Sequence, residues 1–184
     1  MSKREQILET ALELFTEHGF RGTSTAEISK QAGVATGTLF HHFKSKEELI
    51  EELYLGAKTD LADYLQAACT DANGMEEKIK RLWFAYVNWA ISHESQYRFF
   101  KHCEASPYIG ESVREKGVAK FAFFIEDFSA LVSERGDKVS GMTLLDIFAG
   151  AMDGFIRHLL NNPETKTDKP LWDIAFSLCW KILG

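Results

Sequence analysis

The chain has 184 residues, 45% of them hydrophobic, which is enough to bury a core, and 21 basic against 27 acidic side chains leave a net charge of −6. With only 3 Pro and no apolar run near the roughly 18 residues of a membrane span, composition excludes a disordered or membrane-spanning chain and predicts no membrane partner. The acidic total excludes indiscriminate binding to nucleic acid, because neutralisation of phosphates by Lys and Arg dominates that affinity.

The opening residues, Met1-Ser2-Lys3-Arg4-Glu5, lack the apolar stretch of a secretory signal, and the expected location is the cytoplasm. Cys69, Cys103 and Cys179 are odd in number and far apart, which fits reduced core residues better than disulfides or a metal knuckle. Across residues 1–50, Lys3, Arg4, Arg21, Lys30, Lys44 and Lys46 face seven glutamates. Any DNA binding there rests on where the charges lie, since that segment is nearly neutral.

Helical periodicity runs the length of the chain. Ile7, Leu8, Ala11, Leu14 and Phe15 mark a first helix, with Gly19 after it. Ser24 with Glu27 and Ser45 with Glu48 read as capping boxes that begin later helices. Leu49, Leu53, Leu61, Tyr64, Leu65 and Ala68 make a long stripe, and Met75, Ile79, Leu82, Trp83, Tyr86, Val87 and Ala90 make another after Gly74. A single stripe is read from Val118 through Phe121, Ala122, Ile125 and Phe128 to Val132. Pro107, Gly136 and Asn161-Asn162-Pro163 punctuate the segments around it. Leu144, Phe148, Ala151 and Phe155 follow, and a last helix, capped by Asp168 with Pro170 just inside, carries Leu171, Ile174, Ala175, Leu178, Cys179 and Ile182. Nothing alternates as a strand does, so the fold class is all-α.

Between the two capping serines lie two short helices, residues 25–32 and 36–43, joined through Gly33-Val34-Ala35 in helix-turn-helix spacing. Ala26, Ile28, Ala32, Val34, Leu39 and Phe43 are expected to face a small core on Leu8, Leu12 and Phe15. Thr36, Gly37, Thr38, Phe40, His41 and His42 then stay exposed on the second helix, where small residues admit a backbone close to DNA and polar side chains meet phosphates or base edges. Lys46 stands at the next helix start, a favourable place for a phosphate.

The run Thr25-Ala26-Glu27-Ile28-Ser29-Lys30-Gln31-Ala32-Gly33-Val34-Ala35-Thr36-Gly37-Thr38-Leu39-Phe40-His41-His42-Phe43-Lys44-Ser45-Lys46-Glu47-Glu48-Leu49 closely resembles the DNA-binding domain of the TetR family, and Ile7 to Gly22 resembles that family's first helix and turn. The resemblance covers roughly the first 55 residues. It implies a helix-turn-helix DNA-binding domain over residues 1–48, a ligand-binding and dimerisation domain over 49–184, and a homodimer acting as a repressor on double-stranded operator DNA. It also places Thr25, Thr36, Thr38, Phe40, His41 and Lys46 at DNA contacts. The chain departs from the family twice: Ala35 stands where Ser usually caps the recognition helix, and Phe40 where Tyr usually offers a hydroxyl.

The carboxy-terminal part is dense in aromatic residues on more than one helical face. Most belong to the core, but Trp83, Tyr86, Trp89, Phe100, Phe121, Phe124 and Phe128 are candidates for the wall of an effector site, with Glu104, Glu126 or Asp153 as its polar end. The expected effector is a small, largely apolar molecule of unknown identity. Gly150-Ala151-Met152-Asp153-Gly154 puts small residues on one face. In the resembled family the last two long helices form a four-helix dimer interface, which assigns Phe148, Gly150, Ala151, Gly154, Leu171, Ile174 and Leu178 to it.

No metal, cofactor or catalytic role is expected. His41 and His42, like His102, Cys103 and Glu104, are consecutive and diverge by about 100° on a helix, and His93 and His158 add no chelating spacing. No phosphate loop or nucleophile and base spacing supports an α-helical enzyme, and an interaction module without DNA affinity is the other alternative.

Overall fold

The computed structural model describes residues 1–104, 106–134 and 140–183, with the side chains of residues 127, 130–134, 141–142 and 182–183 left out. The Gly136 turn and the side chains of Val132 and Ile182 therefore lie outside the described residues. In chain order the elements are α1 (Lys3–Gly22), α2 (Thr25–Gln31), α3 (Thr36–His42), α4 (Lys46–Cys69), α5 (Met75–Ser92), α6 (Glu94–Glu104), α7 (Glu111–Ala119), α8 (Ala122–Glu134), α9 (Gly141–Asn161), a 3₁₀ turn (Pro163–Thr167) and α10 (Lys169–Leu183). Every element among the described residues is helical, so the fold is all-α. None of these helices is long and apolar enough to cross a membrane.

The chain divides into two compact units. One holds Met1–Asp60 and His93–Lys120, the other Leu61–Ser92 and Phe121–Gly184.

In the first unit, α1 opens with a complete capping box. The Glu5 amide donates to Ser2 Oγ at 3.2 Å and the Ser2 amide to the Glu5 carboxylate at 2.7 Å. Ile7, Ala11, Leu14 and Phe15 are buried along its inner face. At Gly19, φ of +71° breaks the helical path, a conformation glycine adopts without penalty. The break frees carbonyls, and the buried Thr23 hydroxyl donates to two of them, Leu14 at 3.1 Å and Gly19 at 3.0 Å. Leu8 and Leu12 depart from expectation. They are half-buried and line an open groove with Leu53 and Ala57 of α4, because the α1 stripe is wider than the small helices it supports. A further departure concerns a helix end: the stripe read from Val118 onward is split at Lys120 and Phe121, leaving Val118 on α7, 48% exposed. Gly117 of α7 lies so close to α4 that a Cβ there would sit 2.7 Å from Tyr54 Cε1.

In the second unit, Trp83 of α5 is fully buried. It stacks on Phe155 of α9 at 5.2 Å and meets Trp172 and Phe176 of α10 edge-on. Phe128 of α8 meets Phe148 of α9 at 6.4 Å, and both are buried. The turn into α5 is clasped by Glu77, whose carboxylate accepts the Asn73 amide at 2.8 Å, while Arg81 pairs with Glu77 and donates to the Thr70 carbonyl at 3.0 Å. At the start of α10, Asp168 accepts the Leu171 amide at 3.1 Å. Cys69, Cys103 and Cys179 are buried and unpaired, and burial pushes the Cys103 thiol up to about 12.

Candidate DNA-binding helices and effector sites

α2 begins where Ser24 Oγ accepts the Glu27 amide at 3.1 Å. Its last turn is closed by bonds from the Ala32 and Val34 amides to the carbonyls of Ile28 and Ser29, at 2.9 and 3.0 Å. Gly33 at φ +65° turns the chain into α3, the left-handed region that disfavours a side chain. Ile28, Leu39 and Phe43 are buried without remainder and pin α2 and α3 to α1, whereas Ala26 is exposed, contrary to its expected place in that core. Ala35 supplies no side-chain bond, so α3 starts uncapped.

The outer face of α3 presents Thr36, Gly37, Phe40 and His41, all exposed, with Thr38 and His42 half-buried and Thr25 half-buried at the head of α2. Phe40 is 44% exposed, a large apolar ring held in water. The His41 and His42 rings meet edge-on at 5.3 Å. Beyond α3, Ser45 Oγ accepts the Glu48 amide at 3.1 Å, and the Glu48 carboxylate accepts from the Lys44 amide at 2.5 Å, so the return bond of this cap falls one residue before its expected place.

Lys46 is placed differently from a free phosphate clamp. Its ammonium donates to the Phe20 carbonyl and lies 5.5 Å from the Tyr108 ring and 6.0 Å from that of Phe15. The physical reason is the end of α1, whose last carbonyls have no intrahelical donors and attract a cation. Desolvation in this setting lowers the Lys46 pKa. Tyr108, which meets Phe20 at 5.6 Å, is a part of this corner that the sequence did not mark, since nothing local ties a residue after Pro107 to α1.

The aromatic candidates are divided between the two units. Trp83 packs against Phe155 of α9 and against Trp172 and Phe176 of α10. Tyr86 and Trp89 stack at 6.3 Å on α5, and Phe124 meets Phe128 at 5.5 Å on α8, with Phe121 half-buried at its head. Phe100 and Glu104 belong to the first unit: Phe100 packs on Tyr54 at 6.1 Å, with Lys58 4.5 Å above its ring, and Glu104 is exposed and paired with Lys101. Glu104 is therefore not the polar end of a buried site. His102 is also occupied, Nδ1 lying 3.2 Å from the Phe15 carbonyl, and the described residues bring together no group of three or more potential metal ligands.

On α9 and α10, one apolar stripe stays open. Ile147, Ile174 and Leu178 are 49%, 58% and 60% exposed, Gly150 is exposed, and Ala151, Gly154 and Leu171 are half-buried. Phe148, assigned to that stripe from the sequence, is 2% exposed and packs on Phe128, so it belongs to the unit's own core. Ile147, one step round the helix, takes the outward place.

Two short helices braced by a third, with a polar face on the second, make the architecture of a helix-turn-helix regulator. The family model of bacterial regulatory proteins of the tetR family matches residues 7–53. A crystal structure described as a TetR family transcription regulator of Shewanella sp. PV-4 is 36% identical, with a TM-score of 0.89 over 98% of this chain and 97% of that one. The chain belongs to the TetR family of transcriptional regulators. A regulator of the same family from Marinobacter aquaeolei VT8 shares the fold at 18% identity, with a TM-score of 0.87 over 98% of this chain and 94% of that one. The HTH-type transcriptional repressor KstR2 of Mycobacterium tuberculosis is 35% identical over 127 residues, 68% of this chain and 58% of that repressor, so the match spans little more than half of the curated relative.

Proposed function

We propose that the protein is a cytoplasmic, homodimeric repressor that binds a palindromic operator through residues 1–48 and leaves it when residues 49–184 take up a small, largely apolar effector. The observation that carries this reading is the outer face of α3, where Thr36, Gly37, Phe40 and His41 are exposed on a helix pinned from behind by Leu39 and Phe43. Such a face suits a major groove, with Thr25, Thr38 and His42 at its margin. Lys46 serves the same surface by bracing the end of α1. The open stripe of Ile147, Gly150, Gly154, Leu171, Ile174 and Leu178 is the dimer interface, because exposed apolar area of this kind favours pairing with a second copy.

Repression is the mode in which the KstR2 relatives are described. A fold neighbour, FadR of Bacillus subtilis, was crystallised with stearoyl-CoA, so this fold accommodates a long apolar chain in that protein. Here the effector lies between α5 and α8, against Tyr86, Trp89, Phe121 and Phe124. Release requires only that it bind the DNA-incompetent state more tightly, and about 1.4 kcal/mol of difference gives a tenfold loss of operator affinity.

Selection of binding sites from genomic DNA with purified protein tests the reading. The expected product is an inverted repeat whose half-site centres lie about one helical turn, or a small multiple, apart. Recovery of no preferred sequence, or of a single asymmetric half-site bound by a monomer, overturns it.

A further inference from the structure

We propose that the groove between α5, the 3₁₀ turn and the start of α10 is a binding site for an aromatic carboxylate, separate from the effector position between α5 and α8. The groove has a volume of about 460 Å³, within the range of small-molecule sites, and is lined by Phe84, Asn88, Lys166, Thr167, Lys169, Trp172 and Asp173.

Its apolar wall is built. Phe84 and Trp172 stack at 6.1 Å with their planes 23° apart, and Trp172 is only 6% exposed, so the wall is fixed by the core behind it. A flat ring adds to such a pair by offset stacking.

Its polar rim carries two lysines beside Asn88, Thr167 and Asp173. Lys166 and Lys169 flank the groove, and neither forms an ion pair among the described residues, although the protein as a whole is acidic. A third lysine, Lys80, stands 5.9 Å from the Phe84 ring and raises the local positive potential. The indole N–H of Trp172 is buried with no acceptor among the described residues. That nitrogen is sealed within the core, so the groove meets Trp172 through its ring and not through its N–H. An aryl ring against Phe84 and Trp172, with its carboxylate between Lys166 and Lys169, uses both the apolar wall and the two cations. Asp173 at the rim repels a second negative charge and selects a monoanion over a dianion.

Calorimetric titration of the intact protein with 2-naphthoate, and with neutral 2-naphthamide as its control, tests the site without reference to DNA. Naphthoate is expected to bind at least tenfold more tightly than the amide, and Lys166→Gln with Lys169→Gln is expected to remove at least that tenfold difference. In the unmutated protein the Trp172 indole N–H resonance should shift on adding naphthoate, and Trp172→Phe should weaken binding about threefold while keeping the aromatic wall. Equal binding of acid and amide, full affinity in the double lysine variant, or a Trp172 resonance that stays in place overturns the proposal. A protein that binds naphthoate but selects no operator sinks the regulator reading and leaves this site standing.

Discussion

Lys46 reaches back across the first unit to cap Phe20, its ammonium donating to a carbonyl that the end of α1 leaves open. Lys46→Ala is expected to lower stability by about 1 kcal/mol, less than the roughly 1.5–3 kcal/mol of a fully buried hydrogen bond to a charged group because the site is only half-buried. The salt dependence of DNA binding should keep its slope. Urea unfolding and gel shifts at several salt concentrations check both, and a slope flattened by one phosphate would show that the ammonium leaves Phe20 for DNA.

Ala35 leaves α3 without a side-chain cap. Ala35→Ser is expected to stabilise the protein by about 0.5–2 kcal/mol, visible as a higher urea midpoint, and to tighten operator binding by ordering the helix start. Phe40→Tyr should raise DNA affinity through a new phosphate contact with no change in sequence preference. A Tyr variant that altered preference would place this residue on the bases.

Gly150 gives a clean test of pairing. A Cβ there meets nothing within 4 Å among the described residues, so Gly150→Leu should leave the fold intact and strain only a close contact with a second copy. Overpacking of about 1–3 kcal/mol is expected to convert dimer to monomer in sedimentation and to weaken operator binding in step. An unchanged sedimentation coefficient would move the interface off this stripe.

Glu77 ties pH to the turn before α5. Its pKa is lowered chiefly by the hydrogen bond from the Asn73 amide and then by Arg81, so the folded state favours the charged form. The stabilisation is present above the ordinary carboxylate value of about 4.3 and is lost as pH falls through the lower folded value. Exchange of the Asn73 amide proton, corrected for the intrinsic effect of pH, should therefore lose protection below about pH 4. Glu77→Gln should show that loss already at neutral pH, and an unaffected amide would disprove the clasp.

What could be read from the sequence was what is local. Ser24, Gly33, Leu39 and Phe43 act within a few residues of themselves, and each stands where a cap, a turn or an apolar stripe demanded it. Neighbours across the chain were hidden. Periodicity finds the stripe that includes Phe148 but does not say whether it faces Phe128 or a second subunit. Lys46 sits 26 residues from Phe20, and the break after Ala119 has no proline or glycine at Lys120 or Phe121 to announce it. The aromatic rings pose the same difficulty, since composition counts them without saying that Phe100 belongs to one unit and Trp83, Tyr86 and Trp89 to the other.

The three buried thiols divide between the units, Cys103 in the first and Cys69 and Cys179 in the second. Each is shielded until its surroundings open, and each modified cysteine leaves a distinct mass on its own peptide. Alkylation in mild denaturant thus turns the natural sequence into two independent clocks, one for each unit. Equal rates would mean that the protein opens in a single concerted event, and unequal rates would rank its parts without a single engineered label.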